Sequence, residues 1–473
     1  MREPGAGRVP AEQRSVYADH AATSWPKPAA VVHAMVEYLE QAGANPGRSA
    51  HRRAVASARA VFAARQAVAR LLGVRDESRI VFGPNATWAI NLALYGLLEP
   101  GDRVVTSAME HNAVARPLHD LSRRGVEVTR VRCTPEGYLD LDDLRRALRR
   151  AARGQASVDS PGDGAGCSTP GVARGVARGG ARHPMCLLVL THASNVTGTI
   201  LPVVEAARLA HEHGALILVD AAQTAGCLPL DVTAMDLDLV AFTGHKGLLG
   251  PQGTGGLYIR DGLTPRPLVR GGTGSFSHLE EQPPVLPDLY ESGTLNGVGL
   301  AGLGAAVEYV AGVGVDRIRQ HEVELTRRLL RGLEAIPGVR VYGPRQAEER
   351  VAVVSFNVLA DGAAGAGGAP PAAARAVARP AGSAGEGGVV DPALVAELLD
   401  SEFGVMVRAG LHCAPWAHRT VGSYPQGTVR ISLGYSNTPE EVDYIVSAVA
   451  AIASRLRRAR QGGGCGECTG SHR

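Results

Sequence analysis

The chain has 473 residues, 45% hydrophobic and 20% charged, which is ordinary globular composition. A formal net charge of +3 is too small to argue for nucleic acid or a membrane surface, and no apolar run approaches the roughly 18 residues of a spanning helix. The length favours two domains, and seven scattered cysteines, an odd number, do not make a disulfide framework.

In chain order, Met1 to Arg14 is polar and bears Pro and Gly, with no signal-peptide core, so a cytoplasmic, reduced location is expected. Short apolar runs then alternate with helical patterns. Helices are predicted over 54–72, 87–98, 113–124 and 141–152, with strands over 79–82, 103–107 and 126–133. The Gly, Ala, Ser and Pro-rich stretch 153–183 reads as a flexible insertion. Strands follow over 186–191, 216–220, 237–242 and 256–259, with a helix over 203–213 between the first two. This alternation predicts an α/β layer on a largely parallel sheet, which binds ligands at the C-terminal ends of its strands.

The second half reads as a smaller α/β domain. Helices are predicted over 297–312, 315–336 and 392–401, and strands over 339–342, 351–358, 405–408 and 428–432. A second Ala/Gly/Pro-rich insertion is expected over 360–388. Thr438-Pro439-Glu440-Glu441 has an N-cap, a first-turn proline and acidic residues, and opens the last helix. The expected division is a large domain over 26–290, a small domain from 1–25 with 291–460, and a disordered tail over 461–473. Basic runs such as Arg145-Arg146 and Arg149-Arg150 read as solvated helix faces.

Chemistry-bearing residues cluster at strand ends. Leu216 to Asp220 ends in an acid, and Ala241-Phe-Thr243-Gly-His245-Lys246 ends in a hydroxyl, an imidazole and an amine. A buried, cation-flanked lysine has a lowered pKa and forms imines, and an acid at a neighbouring strand end can pair with a heterocyclic nitrogen. Pyridoxal 5'-phosphate (PLP) chemistry asks for that pairing. Asp220 as a helix cap and Lys246 as a surface residue are the blander alternatives. Thr87, after Asn85-Ala86, stands at a helix N-terminus like an anion donor or an ordinary cap. His111 closes the strand over 103–107 and fits either a ring-stacking or a structural role.

Taken together these segments resemble the cysteine desulfurases, PLP enzymes with the class V aminotransferase fold. The matching stretches are Tyr17-Ala-Asp-His-Ala-Ala-Thr23, Asn45-Pro-Gly-Arg-Ser-Ala-His51, Glu110-His111, Thr191-His-Ala-Ser-Asn195-Val-Thr-Gly198, Val219-Asp220-Ala-Ala-Gln223, Thr243-Gly-His245-Lys246, Glu291-Ser-Gly-Thr294-Leu-Asn296 and Arg408-Ala-Gly-Leu-His-Cys413-Ala-Pro415. The resemblance implies the type I PLP fold, with Lys246 as the Schiff-base lysine, Asp220 on the pyridine nitrogen and His111 over the ring. Asn195 and Gln223 would serve the phenolic oxygen, and Thr87, Thr243 and His245 the phosphate. Thr294 would reach the phosphate of a partner subunit, which implies a homodimer.

Cys413 follows a predicted strand in a short Gly-bearing turn. Locally it fits either a buried, inert thiol or a nucleophile activated by nearby cations. By resemblance to the second group of cysteine desulfurases it is the catalytic nucleophile. Arg430, on the strand over 428–432, would hold the substrate α-carboxylate bidentately, with Arg408 beside it; its alternative is a structural ion pair. The implied reaction takes sulfur from L-cysteine onto Cys413, leaving alanine. Lys246 and His111 would carry protons, and the sulfur would pass to an acceptor protein or thiol. Selenocysteine lyase is the nearest alternative, then a transaminase or epimerase of the same fold, then a non-catalytic scaffold. His20, Ala86 and Leu411 depart from the usual family residues. No metal site is expected, because Cys465-Gly-Glu-Cys468 lacks the second half of a zinc site.

Overall fold

A computed structural model describes residues 15–47, 51–153, 184–360 and 388–461. The expected insertions fall on 154–183 and 361–387 and the expected tail on 462–473, outside the described residues. Their predicted edges shift slightly. Arg153 completes a helix, Gln461 ends one, and Ala360 N–H bonds to the Gly388 carbonyl.

Chain order begins with β1 (Val16–Tyr17), α1 (Ala29–Glu37), α2 (Arg52–Leu71), β2 (Ile80–Gly83), α3 (Ala86–Leu97), β3 (Arg103–Ser107), α4 (Asn112–Arg123), β4 (Glu127–Val131) and α5 (Leu141–Arg153). It continues with β5 (Cys186–Thr191), α6 (Val203–Glu212), β6 (Leu216–Asp220), β7 (Leu239–Thr243) and β8 (Gly255–Ile259). Strands β2 to β8 form one seven-stranded sheet in the order β2-β8-β7-β6-β5-β3-β4. It is parallel from β7 to β4, while β8 runs antiparallel to both β7 and β2.

Every residue of β5, β7 and β8 is buried, as expected of strands covered on both faces. Side chains alternate between two cores. Leu188, Leu190, Ile217 and Val219 pack with α2, α5 and α6, whereas Leu187, Val189 and Leu218 pack with α3 and α4.

α7 (Gly297–Val313) follows, then α8 (Val315–Glu334), β9 (Val339–Tyr342), β10 (Val353–Val358), α9 (Pro392–Phe403), β11 (Val405–Met406), β12 (Arg408–Gly410), α10 (Pro415–Thr420), β13 (Thr428–Ser432) and α11 (Pro439–Gln461). The smaller layer is an antiparallel sheet, β12-β13-β10-β9, with α8, α9 and α11 packed over one core. Leu300, Leu303 and Val307 of α7 instead join the core of the large sheet, although the sequence division groups them with the small domain.

Two local expectations change. The predicted strand over 405–408 divides at Val407, since Val405–Met406 pairs with β1 and Arg408–Gly410 pairs with β13. Helix α1 was not predicted, because its apolar residues do not keep to one face: Val31 is buried, while Val32 and Val36 are about half exposed.

The two layers are joined at the loop after β5. Arg350 is fully buried and donates to the carbonyls of Pro344 (2.6 Å), Tyr342 (3.0 Å) and Val353 (2.9 Å) in the small layer, and to that of Thr197 in the large one. Gly198, next in the chain, has φ +77°, and a Cβ there would lie 2.6 Å from the Val353 carbonyl oxygen. Only glycine meets both the left-handed backbone and that close approach.

Candidate active site

Neighbouring parallel strands deliver their C-terminal ends to one edge of the sheet. β6 ends at Asp220, paired with Thr191 of β5, and β7 ends at Thr243, three residues before Lys246. β3 leads to His111, the N-cap of α4. The small layer contributes Arg408 and Arg430, register partners on β12 and β13. Arg430 donates to the Asn195 carbonyl (3.2 Å) and to Asp19 (2.7 Å), so the N-terminal segment, the loop after β5 and the small sheet close on the same place. That segment also grips the lysine turn, because the His245 carbonyl accepts from Ser24 N–H (2.9 Å), Thr23 Oγ1 (3.1 Å) and Lys27 Nζ (3.0 Å).

The remaining sequence-singled residues fall as follows. Thr243 is buried, and Gln223 donates to the Ala21 carbonyl (3.2 Å). Thr87 lies exposed on the first turn of α3, where Asn85 caps the Trp88 N–H (2.9 Å) and the first N–H groups of the helix have no intrahelical acceptor. Thr294 is exposed on this chain and accepts from Asn45 Nδ2 at 3.2 Å.

Burial sets the charge states. It pushes the Lys246 amine down to about 8; Asp220 and Asp19 oppose that shift, and Arg430 and Arg408 add to it. Among the described residues, Nζ has no hydrogen-bond or ion-pair partner. Burial raises Asp220, against the Ala222 N–H (3.0 Å) and the Lys246 charge. His111 is pushed down to about 4 by burial, then by Lys246, Arg408, Arg430 and Arg116. It is therefore neutral near pH 7. Its Nδ1 accepts the Ala113 N–H (3.0 Å), which leaves the ring proton on Nε2.

Glu110, one residue earlier, received no role from the sequence, yet it is the most deeply buried acid beside the site. Its Oε1 accepts from Ser107 Oγ (2.5 Å) and Thr191 N–H (3.1 Å), and Oε2 has no partner. Burial raises its pKa to about 8, and the nearby Asp220 charge adds to the rise. A raised folded-state pKa means stability is lost as pH climbs from the unfolded value through about 8. Glu110→Gln removes that titration. Its denaturation midpoint, relative to the unmodified chain, is therefore expected to rise between pH 5 and pH 8.5; a constant difference contradicts a neutral Glu110.

The Cys413 turn is strained and pinned. His412 and Cys413 have φ +48° and +57°, which costs non-glycine residues about 1–3 kcal/mol each. The Cys413 carbonyl accepts the Asn112 N–H (2.7 Å), the His412 carbonyl accepts Asn195 Nδ2 (2.7 Å), and His412 Nε2 meets Thr428 Oγ1 (3.1 Å). The exposed thiol has the Arg408 guanidinium 3.9 Å from Sγ. Asn195 thus bridges the large sheet to the cysteine turn.

Residues 16–154, 178–366 and 386–445 match the family model described as aminotransferase class-V. The chain belongs to that family. The breaks in the match fall inside the two insertions read from composition. A protein named "probable cysteine desulfurase" from Methanothermobacter thermautotrophicus is 33% identical over 452 residues, covering 94% of this chain and 96% of its own. A cysteine desulfurase of Escherichia fergusonii is 30% identical over 448 residues, covering 92% and 93%. The solved apo cysteine desulfurase of Thermococcus onnurineus superposes with a TM-score of 0.74 at 30% identity, covering 96% of this chain and all of that one. Among class-V aminotransferases this chain is thus a member of the cysteine desulfurase family, with the type I PLP fold. Asp19, Lys27 and Glu110 are the site residues whose parts the sequence left unassigned. All three sat in or beside a quoted motif, but Asp19 meets Arg430 across 411 residues and Lys27 meets the His245 carbonyl across 218.

Proposed function

We propose that the chain is a PLP-dependent cysteine desulfurase that converts L-cysteine to L-alanine and holds the sulfur as a persulfide on Cys413. The observation that carries this reading is the convergence of an unpartnered, partly buried amine, Lys246, with a strained and exposed thiol on a turn tied to the same strand ends. The residues fit the cofactor. Lys246 Nζ is free to bond its aldehyde, Asp220 is a buried acid for the ring nitrogen, and the neutral His111 ring offers a face. The first turn of α3 with Thr87, and Thr243 and His245, supplies anion donors, with Thr294 reaching in from a second subunit. Once bound, the cofactor supplies an electron sink for the carbon skeleton of the amino acid.

The chain's own groups do the rest. Arg430, held by Asp19 and by the Asn195 carbonyl, orients the substrate carboxylate, with Arg408 beside it. Lys246, with an amine near 8, takes the Cα proton, and Lys246 or the Nε2–H of His111 returns protons to the product. Cys413 Sγ attacks the substrate sulfur. An S–S bond forms, the substrate C–S bond breaks with its electron pair passing to carbon, and the carbon gains a proton to become alanine.

A homodimer is the assembly this reading needs. Val32 and Val36 of α1, Leu39 after it and Phe62 of α2 are large apolar side chains left exposed on the single chain. Among the described residues no single helix is long and apolar enough to cross a membrane, and a cytoplasmic location fits the reduced thiols. The direct test is L-cysteine with PLP-loaded protein and a thiol reductant. Alanine and sulfide in equal amounts are expected, and formation of neither overturns the reading.

A further inference from the structure

The surface beside Cys413 is basic and aromatic. α10 begins two residues after the nucleophile and carries Trp416 and Arg419. The Arg130 guanidinium of β4 lies 3.5 Å from the Trp416 ring centroid, and that of Arg419 lies 4.3 Å from the Tyr424 centroid. Tyr424 is 43% exposed, and both arginines are exposed. Arg116 stands on α4, whose first residue bonds the Cys413 carbonyl. Among the described residues Arg116, Arg130 and Arg419 form no ion pair. Nearby arginines do: Arg132 meets Asp140 and Asp143, and Arg124 meets Asp120.

Arg130 and Arg419 are close enough for the Arg419 charge to add to burial in lowering Arg130. Two like charges are thus held together without a carboxylate between them. Each guanidinium is held against a ring by cation–π attraction, and each arginine remains exposed to solvent. Arginine, tryptophan and exposed tyrosine are also the residues that dominate binding energy at protein interfaces.

We infer that this surface docks the sulfur acceptor as a protein presenting an acidic segment, whose carboxylates meet Arg130 and Arg419 while its thiol reaches Cys413. The inference rests on the desulfurase reading. The acceptor thiolate attacks the outer sulfur of the Cys413 persulfide. A new S–S bond forms on the acceptor, and the old one breaks with its electron pair returning to Cys413 Sγ, which takes up the proton the acceptor lost.

The test uses the PLP-loaded full chain, charged by one turnover of radiolabelled L-cysteine. Two synthetic peptides then compete as acceptors, each with one cysteine, flanked by Asp and Glu in one and by Asn and Gln in the other. The acidic peptide is expected to take the label roughly ten-fold faster at low ionic strength, with the advantage shrinking as salt is raised. In an Arg130→Gln/Arg419→Gln variant the advantage disappears, while alanine formed in the charging turnover is unchanged. Equal rates for the two peptides at low salt, or an advantage that survives in the variant, overturns the docking surface. Absence of alanine and label in the charging step overturns the desulfurase reading itself, and the docking surface with it.

Discussion

Lys246→Ala is expected to lower alanine formation from L-cysteine by roughly 10³-fold or more, because in the proposed mechanism one side chain supplies both the covalent anchor and a proton carrier. Borohydride reduction of the unmodified protein should fix the cofactor on the peptide that contains Lys246, and the variant should yield no such adduct. The amine is neutral above about 8, where burial has brought it. A neutral amine is the nucleophile, so the rate at which the cofactor-free protein captures PLP should rise with pH up to about 8 and then level. The electrostatics of the site limit how far this can be imitated. Asp220 and Asp19 favour the charged amine, while Arg430 and Arg408 disfavour it. Lys246→Arg keeps the charge, but a guanidinium cannot be deprotonated in this range. A retained adduct in Lys246→Ala contradicts the assignment.

Cys413→Ser is expected to leave the cofactor spectrum unchanged and to lower sulfide release roughly 10²-fold or more, since a hydroxyl is a far weaker nucleophile than a thiol and has no way to store sulfur. Serine differs from cysteine by one atom and keeps a comparable backbone preference, so the His412–Cys413 turn and its bonds to Asn112 and Asn195 should persist. The variant therefore separates the chemistry of the thiol from the geometry of its loop. Unchanged sulfide release in Cys413→Ser contradicts the nucleophile assignment and favours a fold relative that does not use this cysteine.

The large sheet was legible because its strands are unbroken apolar runs ending in turn and polar residues. Leu216 to Asp220 and Cys186 to Thr191 match the sequence reading residue for residue. Boundaries held less well where one run serves two partners, as at Val405 to Gly410, because strand pairing is a long-range property. Lys246 and Asp220 could be read as a pair because Asp220 closes one strand and Lys246 follows the end of its neighbour by three residues, and neighbouring parallel strands place their ends together. The Asp19–Arg430 contact could not, since its members lie 411 residues apart. It gives Arg430 the structural ion pair that was its alternative role, and the same pair can orient the guanidinium toward a substrate carboxylate. The neutral state of Glu110 was equally hidden, because it depends on β5 and β6 closing around a residue that in sequence only precedes a histidine. At Cys413, the motif was visible but the paired left-handed φ angles were not; they arise from the Asn112, Asn195 and Thr428 bonds that hold the turn.

The most direct measurement is a single turnover of PLP-loaded protein with limiting L-cysteine, followed by mass analysis of its peptides and quantitation of alanine. The peptide containing Cys413 should gain the mass of one sulfur atom, with one alanine formed per sulfur bound and no gain on the peptides containing Cys133, Cys186 or Cys227. Alanine without added sulfur on Cys413, or sulfur on another cysteine, contradicts the account.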